Sequence, residues 1–369
     1  MQNNARVTVG FGGDGAIDVK CVICFAEPVS AFRFSLSTLM KIDGITADGV
    51  SWRDVREWQP RWSFACREYE VTGEFRELII EYHGRVEGWC NIVEDRRIAL
   101  SSYSAWTITE TSEPVEFTFI PEGLEDYFVL INSADIGNII ALKNGCYHKT
   151  ESSGFNFYYL NESDKIYADA YARYYDEILR YYASIFAPKP IEKMDMVCLG
   201  LAESNGAYFR KELIVFDALS PTDDAEKVKR NALFFLPHEL GHNWFTGADT
   251  STWEDWLNET GAEWSSLLFA LSIGETEFFE QSVQSSIKRS RDYPPIKMAD
   301  GSRPDGVHVV GTALFYKIYT AYGADTIIAV LKVLAELESK TTAAFLTAVE
   351  EKIGKEIAAL IGRGITEQQ

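Results

Sequence analysis

Two patterns of hydrophobic and polar residues divide the chain. As far as residue 142, short stretches alternate apolar and polar residues between Gly, Pro and Asp turns, which is the period of strands with one buried face. These stretches are RVTVGF, IDVKCVICF, AFRFSL, RELIIEYHG, TITE, VEFTFI and DYFVLI. We predict an antiparallel β-rich domain over residues 1–150, which ends in the polar, turn-rich segment KNGCYHKTESSG.

Helical spacing dominates residues 151–369. Apolar and aromatic residues recur at three-and-four spacing between Ser163, a residue type that caps helices, and Pro188, which stops the pattern. Later helices are predicted from Asp224 into the run HELGH and over 257–271, 311–322, 326–337 and 341–353.

Two strands are predicted between the first two helices. They are MDMVCLGLAES and AYFRKELIVFD, separated by a tight turn at Asn205 and Gly206. The predicted fold class is therefore α+β, with a β-rich first domain and a mostly helical second domain over residues 151–369.

Composition narrows the function classes. With 46% hydrophobic and 13% aromatic residues, the 369-residue chain can bury the cores of two domains. Its net charge of -20 repels phosphate backbones and anionic lipid surfaces, so neither nucleic acid nor membrane is expected as a partner. The same charge attracts a cationic N-terminus or a basic peptide, although acidity also simply keeps a protein in solution.

Several features favour a cytoplasmic protein. No stretch reaches the length of a transmembrane helix, and the run MQNNARVTVGFGGDGAIDV lacks the basic and apolar regions of a secretory signal. The six cysteines are scattered without a paired framework, which suits reduced thiols. Removal of an export signal is the alternative.

The run HELGH carries the candidate chemistry. His238 and His242 are four residues apart, so on a helix both imidazoles can face one metal ion while Glu239 faces the adjoining pocket. A hydrolytic zinc site uses three protein ligands, and Glu259, seventeen residues after His242, is the candidate third ligand. One Zn²⁺ per chain is expected. The alternative is a pair of buried structural histidines.

The sequence around this run resembles a known family. HELGHNWFTGADTSTWEDWLNETGAEW is similar to the gluzincin metallopeptidases of the aminopeptidase N and leukotriene hydrolase type, whose signature is HExxH followed by WLNE. The segment GLAES, from Gly200 to Ser204, is similar to their GxMEN strand in a relaxed form. The resemblance covers roughly residues 155–360 and implies a thermolysin-like catalytic domain.

This resemblance implies a zinc-dependent aminopeptidase that cleaves N-terminal residues from short peptides. His238, His242 and Glu259 would hold the zinc ion, with Glu239 as the general base for the attacking water. Glu263, one helical turn beyond Glu259, is well placed to hold the second ring nitrogen of a ligand histidine. Its alternative role is that of an ordinary solvent-facing carboxylate.

The GxMEN-like segment supplies the substrate prediction. In the family that the chain resembles, the Glu of this motif binds the free α-amine of the substrate, a role that falls to Glu203, with Gly200 in the same motif. Such a contact would enforce exopeptidase action. The alternative is an ion pair between Glu203 and Arg210 or Lys211.

Three departures from the family pattern matter. Sixteen residues separate His242 from Glu259, about two fewer than usual. Pro237 directly precedes the first ligand and is expected to kink or start the helix. The family's tyrosine, three residues before a helix-starting Gly, is His308 here.

The resemblance makes His308 a catalytic candidate. A donor opposite the zinc stabilises the oxyanion, and His308 can supply it if it is protonated or in the right tautomer. Tyr316 and Tyr293 are the alternatives for this role.

Two rival functions remain open at this point. A zinc endopeptidase would differ in whether Glu203 meets an amine, and a non-catalytic peptide-binding protein would have kept the peptidase fold without efficient turnover. The side-chain preference of the first subsite and the oligomeric state are not predicted.

Overall fold

The computed structural model describes residues 2–59, 64–132, 137–201, 206–219 and 224–368, and its first part consists of two β-sheets. Its strands are β1 (Asn4–Phe11), β2 (Ala16–Ser37), β3 (Met40–Thr46), β4 (Ser51–Trp58), β5 (Cys66–Arg85), β6 (Ile92–Glu94), β7 (Arg97–Leu100), β8 (Glu116–Pro121), β9 (Tyr127–Asn132) and β10 (Asn138–Lys143). The first sheet has the order β3-β5-β2-β1-β8, with β4 also on β5, and the second has the order β6-β7-β10-β9. Alternate residues of β1 and of the first half of β2 are buried, so the predicted β-rich region is confirmed.

One pairing departs from the predicted antiparallel order. β1 and β8 pair in parallel, with Asn4 opposite Glu116, whereas the other pairs in these two sheets are antiparallel. Alternation of apolar residues indicates which face of a strand is buried, but it carries no information about the direction of the neighbouring strand.

A third sheet opens the second part of the chain. It contains β11 (His148–Glu151), β12 (Phe155–Tyr159), β13 (Met194–Cys198), β14 (Ala207–Arg210) and β15 (Leu213–Phe216), in the order β11-β12-β13-β15-β14. The predicted strand over residues 207–217 is therefore two antiparallel strands with a turn at Lys211 (φ 49°). The predicted turn at Asn205 and Gly206 includes Asn205, which lies outside the described residues. The domain boundary at residue 150 stays a prediction, and β11 extends across it.

The remainder of the described chain is mostly helical. Its helices are α1 (Lys165–Ile185), α2 (Ala225–Gly241), α3 (Trp256–Ser272), α4 (Thr276–Ser290), α5 (Val307–Tyr322), α6 (Ala324–Glu336), α7 (Thr342–Lys352) and α8 (Lys355–Gly364). The predicted helices are present and the α+β fold class is confirmed, although α4 and α8 were not predicted. Asp164, and not Ser163, precedes α1 because a 3-10 turn comes first. Within the described ranges, no helix is long and apolar enough to span a membrane.

Two glycines let three helices approach one another closely. A Cβ at Gly241, the last residue of α2, would lie 2.6 Å from Ser265 Oγ and 3.1 Å from Ala262 Cα in α3. A Cβ at Gly311 in α5 would overlap the side chain of Thr260 in α3. Because larger residues would push these helices apart, the two glycines bring the end of α2 and the start of α5 to the same part of α3.

Candidate metal centre

Helix α2 carries the HELGH run at its C-terminal end. Asp224 caps the start of the helix by accepting hydrogen bonds from backbone N–H groups of the first turn. The helix begins at Ala225 and passes through Pro237, so this proline does not start the helix, and the expected kink stays a prediction. It ends at Gly241, which leaves His242 as the C-terminal cap.

His238, His242 and Glu259 converge on one point. His238 Nε2 lies 3.3 Å from Glu259 Oε2, and His242 Nε2 lies 3.7 Å from the same oxygen. That oxygen is buried and has no hydrogen-bond partner in the described part of the chain. Ligands about 2.0–2.2 Å from a tetrahedral zinc ion lie roughly 3.3 Å from one another, so the three side chains fit a zinc ion.

A second contact orients each of the two imidazoles. His238 Nδ1 lies 3.1 Å from Glu263 Oε2, and His242 Nδ1 lies 3.0 Å from the carbonyl oxygen of Phe245. An N–H donated to these oxygens leaves the Nε2 lone pair facing Glu259, which is the tautomer that a metal ligand needs. The sequence indicated Glu263, but no signal in it pointed to the backbone carbonyl of Phe245.

Charges around the site shift the pKa of its groups. Burial lowers the pKa of His238, but Glu259 and Glu263 outweigh burial and hold this pKa well above its ordinary value. Burial also raises the pKa of Glu239, against the opposing effect of His238 and His242. Glu239 is 5% exposed and lines the same cleft as His238, His242 and Glu259.

His308 reaches the same carboxylate from the first turn of α5. Its Nδ1 lies 3.3 Å from Glu259 Oε2, and its ring centre lies 5.6 Å from that of His238. The side chain is 45% exposed and lines the cleft. His308 is therefore close enough to meet a group bound at the metal centre.

Neither tyrosine considered in place of His308 lines the cleft in the described part of the chain. Tyr316 stacks on Tyr319 with ring centres 5.9 Å apart. Tyr293 packs beside Gly306, where an added Cβ would lie 2.5 Å from it. Both side chains pack against the hydrophobic core of the second part of the chain.

Glu203 lies outside the described residues, and only the flanks of its segment are placed. Gly200 has φ 64°, a left-handed conformation that favours glycine, and a Cβ there would lie 3.1 Å from Asn161 Nδ2. The carbonyl group of Leu199 accepts a hydrogen bond from Arg97 in β7. The second sheet of the N-terminal part thus holds the start of this segment.

Arg210 and Lys211, the alternative partners of Glu203, follow one another where β14 ends. The Arg210 guanidinium lies over the ring of Tyr208, 4.9 Å from its centre, and Lys211 Nζ lies 3.1 Å from Glu212 Oε1. The preceding residue, Phe209, stacks on the metal-centre residue His242 with ring centres 6.1 Å apart. β14 therefore runs alongside the end of α2.

Sequence reasoning missed Arg303 and Asp255. Arg303 Nη2 lies 3.7 Å from Glu259 Oε1, and its Nε donates a hydrogen bond to Asp255. Both side chains are buried. Asp255 lies four residues before Glu259, a spacing that places two side chains on one face of a helical turn, so only this member of the pair had a signal in the sequence.

The metal centre opens into a cleft between the two parts of the chain. The cleft has a volume of about 1830 Å³. Arg56, Trp58 and Tyr103 from the N-terminal part line it, together with Glu239 and His308. Such a cleft has room for an extended peptide that reaches His238, His242 and Glu259.

Comparisons of the sequence give partial matches. No family model matches the chain. Over 99 residues the chain is 34% identical to Aminopeptidase M1-D from Oryza sativa subsp. japonica, and the match covers 24% of this chain and 11% of that protein. Over 173 residues it is 28% identical to Aminopeptidase M1 from Arabidopsis thaliana, covering 43% and 19%. The chain thus matches only a tenth to a fifth of the length of these curated relatives.

Solved structures match the whole chain. An M1 zinc metallopeptidase variant from Deinococcus radiodurans superposes with a TM-score of 0.62 at 16% identity, covering 100% of this chain and 94% of that one. The same enzyme was also solved with a Tyr-Ser-Ala substrate and matches with a TM-score of 0.60 at 17% identity, covering 100% and 94%. Leukotriene A4 hydrolase from Saccharomyces cerevisiae superposes with a TM-score of 0.68 at 12% identity. The match covers 99% of this chain and 68% of that one.

The two kinds of comparison agree. The structural neighbours are zinc metallopeptidases and the curated relatives are aminopeptidases. At these identities the structural likeness establishes the fold alone. The chain therefore has the fold of the M1 zinc metallopeptidases, and its predicted resemblance to the aminopeptidase N and leukotriene hydrolase family is confirmed.

Proposed function

We propose that the protein is a zinc-dependent aminopeptidase that removes N-terminal residues from short peptides. The observation that carries the proposal is the buried Glu259 Oε2, which faces His238 Nε2 and His242 Nε2 at 3.3 and 3.7 Å and has no hydrogen-bond partner in the described chain. One cation would satisfy all three atoms. When bound, zinc supplies Lewis-acid chemistry, because it acidifies water and polarises a carbonyl group.

Glu239 is the proposed general base. It would accept a proton from the attacking water and return it to the amine that leaves when the peptide bond breaks. Burial raises the pKa of Glu239, so its carboxylate holds a proton more readily than an exposed glutamate does. This property suits a group that accepts and returns a proton within one turnover.

His308 is the proposed hydrogen-bond donor to the oxyanion. Its half-exposed ring lines the cleft beside Glu259, at the position where the family has tyrosine. A neutral imidazole has only one N–H. His308 can therefore donate to the oxyanion when its proton is on the nitrogen that does not face Glu259, or when both ring nitrogens are protonated.

The substrate is proposed to be a peptide with a free N-terminus. Support comes from the GxMEN-like segment, in which Glu203 would bind the amine and Gly200 has the left-handed conformation that favours glycine. The D. radiodurans neighbour was solved with a Tyr-Ser-Ala substrate, and the net charge of -20 attracts a cationic group.

The test combines metal content with hydrolysis of aminoacyl-fluorophore substrates by the wild type and by Glu239→Gln. We expect about one zinc ion per chain in both proteins and turnover in the wild type alone. Zinc without turnover over a broad peptide panel would favour a peptide-binding protein. Cleavage of N-acetylated peptides as fast as free peptides would indicate an endopeptidase.

A cytoplasmic location is also proposed. All six cysteines have free thiols, and Cys21, Cys66, Cys90 and Cys198 are buried. Such thiols persist in a reducing compartment. Fractionation of the native host tests this location, and recovery of the protein outside the cytoplasm would contradict it.

A further inference from the structure

Glu259 is held through its second oxygen by a residue that is distant in the sequence. Arg303 Nη2 lies 3.7 Å from Glu259 Oε1, and Arg303 Nε donates to Asp255 Oδ2. The other oxygen of Asp255 accepts a hydrogen bond of 2.8 Å from Asn258. Arg303 is 8% exposed and Asp255 is 1% exposed. One oxygen of Glu259 therefore faces the imidazoles of the metal centre while the other faces a buried guanidinium.

Backbone contacts place Arg303 beside Asp255. The residue before it, Ser302, forms an isolated antiparallel bridge with Thr252, which directly precedes the turn that carries Asp255. Asp255 is the N-cap of α3, and Glu259 lies in the first turn of the same helix. The bridge thus ties the segment before α5 to the start of the helix that carries the third metal ligand.

The charges of this group also balance. A lone arginine next to a metal ligand would repel a divalent cation, but Asp255 supplies a compensating negative charge. The pair Asp255 and Arg303 is therefore neutral as a unit. The pair therefore affects Glu259 mainly by orienting it, because a planar guanidinium between two carboxylates fixes the orientation of both.

We propose that Arg303, oriented by Asp255, is a positioning residue for Glu259 and determines how tightly the centre holds zinc. The inference rests on the proposed function, since it takes the bound metal to be zinc. A carboxylate that is already held in place loses less conformational freedom when it coordinates a metal. Arg303 thus strengthens zinc binding by holding the carboxylate of Glu259, and Asp255 orients Arg303 for this contact.

The test measures zinc affinity in the absence of substrate. The full chain is stripped of metal and titrated with Zn²⁺ in competition with a chromophoric chelator. Arg303→Met keeps an apolar stem but removes the guanidinium, and we expect its Kd for zinc to rise about 10- to 100-fold. Arg289→Met makes the same change at an exposed arginine of α4 and should leave the Kd unchanged. A wild-type Kd in Arg303→Met would overturn the proposal.

Further variants separate positioning from loss of the fold. Circular dichroism and thermal melting of the metal-free proteins report folding without zinc. Arg303→Lys retains the charge but loses the forked geometry, so we expect a smaller rise in Kd and a changed visible spectrum of the Co²⁺-loaded protein. If Arg303→Met does not fold, Asp255→Asn takes its place, because it leaves Arg303 without the compensating charge. A wild-type Kd and Co²⁺ spectrum in Asp255→Asn would contradict the proposal.

The outcomes distinguish this inference from the proposed function. A wild-type protein that binds no zinc would overturn both. A wild-type protein that binds zinc but cleaves no peptide would overturn the peptidase alone. A wild-type Kd in the Arg303 variants, with active wild-type enzyme, would overturn only the positioning role.

Discussion

Two groups of residues meet at Glu259. One comes from a single turn of α2, and the other is brought there by the packing of distant segments. His238 and His242 lie four residues apart at the end of α2, so a single helical turn brings their imidazoles to the same side. Arg303 and His308 come from the segment before α5 and from its first turn. They reach Glu259 through the bridge between Ser302 and Thr252 and through the close packing of α5 on α3. The local region has the HExxH spacing of the family, whereas the region assembled by packing has His308 where the family has tyrosine.

The largest effect on kcat is expected when the proposed base, Glu239 in the local region, is removed. Glu239→Gln is expected to lower kcat by about 10²- to 10⁴-fold while zinc content stays the same, because the amide cannot accept the proton. Glu226→Gln, at an exposed position in the first turn of the same helix, is the matched control. Steady-state kinetics with elemental analysis measures both, and full activity in Glu239→Gln would remove the proposed mechanism.

In the region assembled by packing, a change at His308 should lower the turnover rate without loss of the metal. We expect His308→Phe to lower kcat about 100-fold or more, because one hydrogen bond to the oxyanion is lost, and to change zinc content far less. His308→Tyr restores the residue type of the family and should recover part of the rate. Equal kcat in the wild type and His308→Phe would exclude a catalytic role.

The contact between α3 and α5 can be tested through stability. Gly311→Ala places a methyl group against Thr260 and is expected to lower the free energy of unfolding by about 1–3 kcal/mol through overpacking. Gly13→Ala is the control, since a Cβ there has no neighbour within 4 Å. Urea unfolding of the metal-free proteins measures the difference, and equal midpoints would show that the helices tolerate the extra methyl group.

The smallest effect is expected at Glu263, which contacts His238 in the local region. Glu263→Gln keeps an oxygen near His238 Nδ1 but removes the charge, so we expect zinc affinity to fall by about 10-fold or less. Glu280→Gln at an exposed position of α4 provides the comparison. Chelator competition measures the Kd values, and a loss larger than that of Arg303→Met would reverse the proposed order of the two supports.

Features that depend on short spacing along the chain could be predicted from the sequence. The alternation of apolar residues predicted the β-rich first part, and the three-and-four spacing predicted α1 with its buried tyrosines. The four-residue spacing of His238 and His242 has only one outcome on a helix, which is a shared face. The same reasoning suggested Glu263 from its distance of one turn from Glu259, and the structure places it 3.1 Å from His238.

Contacts between distant segments could not be predicted from the sequence. The parallel pairing of β1 with β8, the carbonyl group of Phe245 beside His242, and the approach of Arg303 to Glu259 have no periodic signature in the sequence. Spacing along the chain encodes the geometry of one helix or strand, whereas the position of one element against another depends on how their side chains pack. The convergence of His238, His242 and Glu259 could therefore be predicted from local spacing and a family resemblance, but the contact of Arg303 with the second oxygen of Glu259 could not.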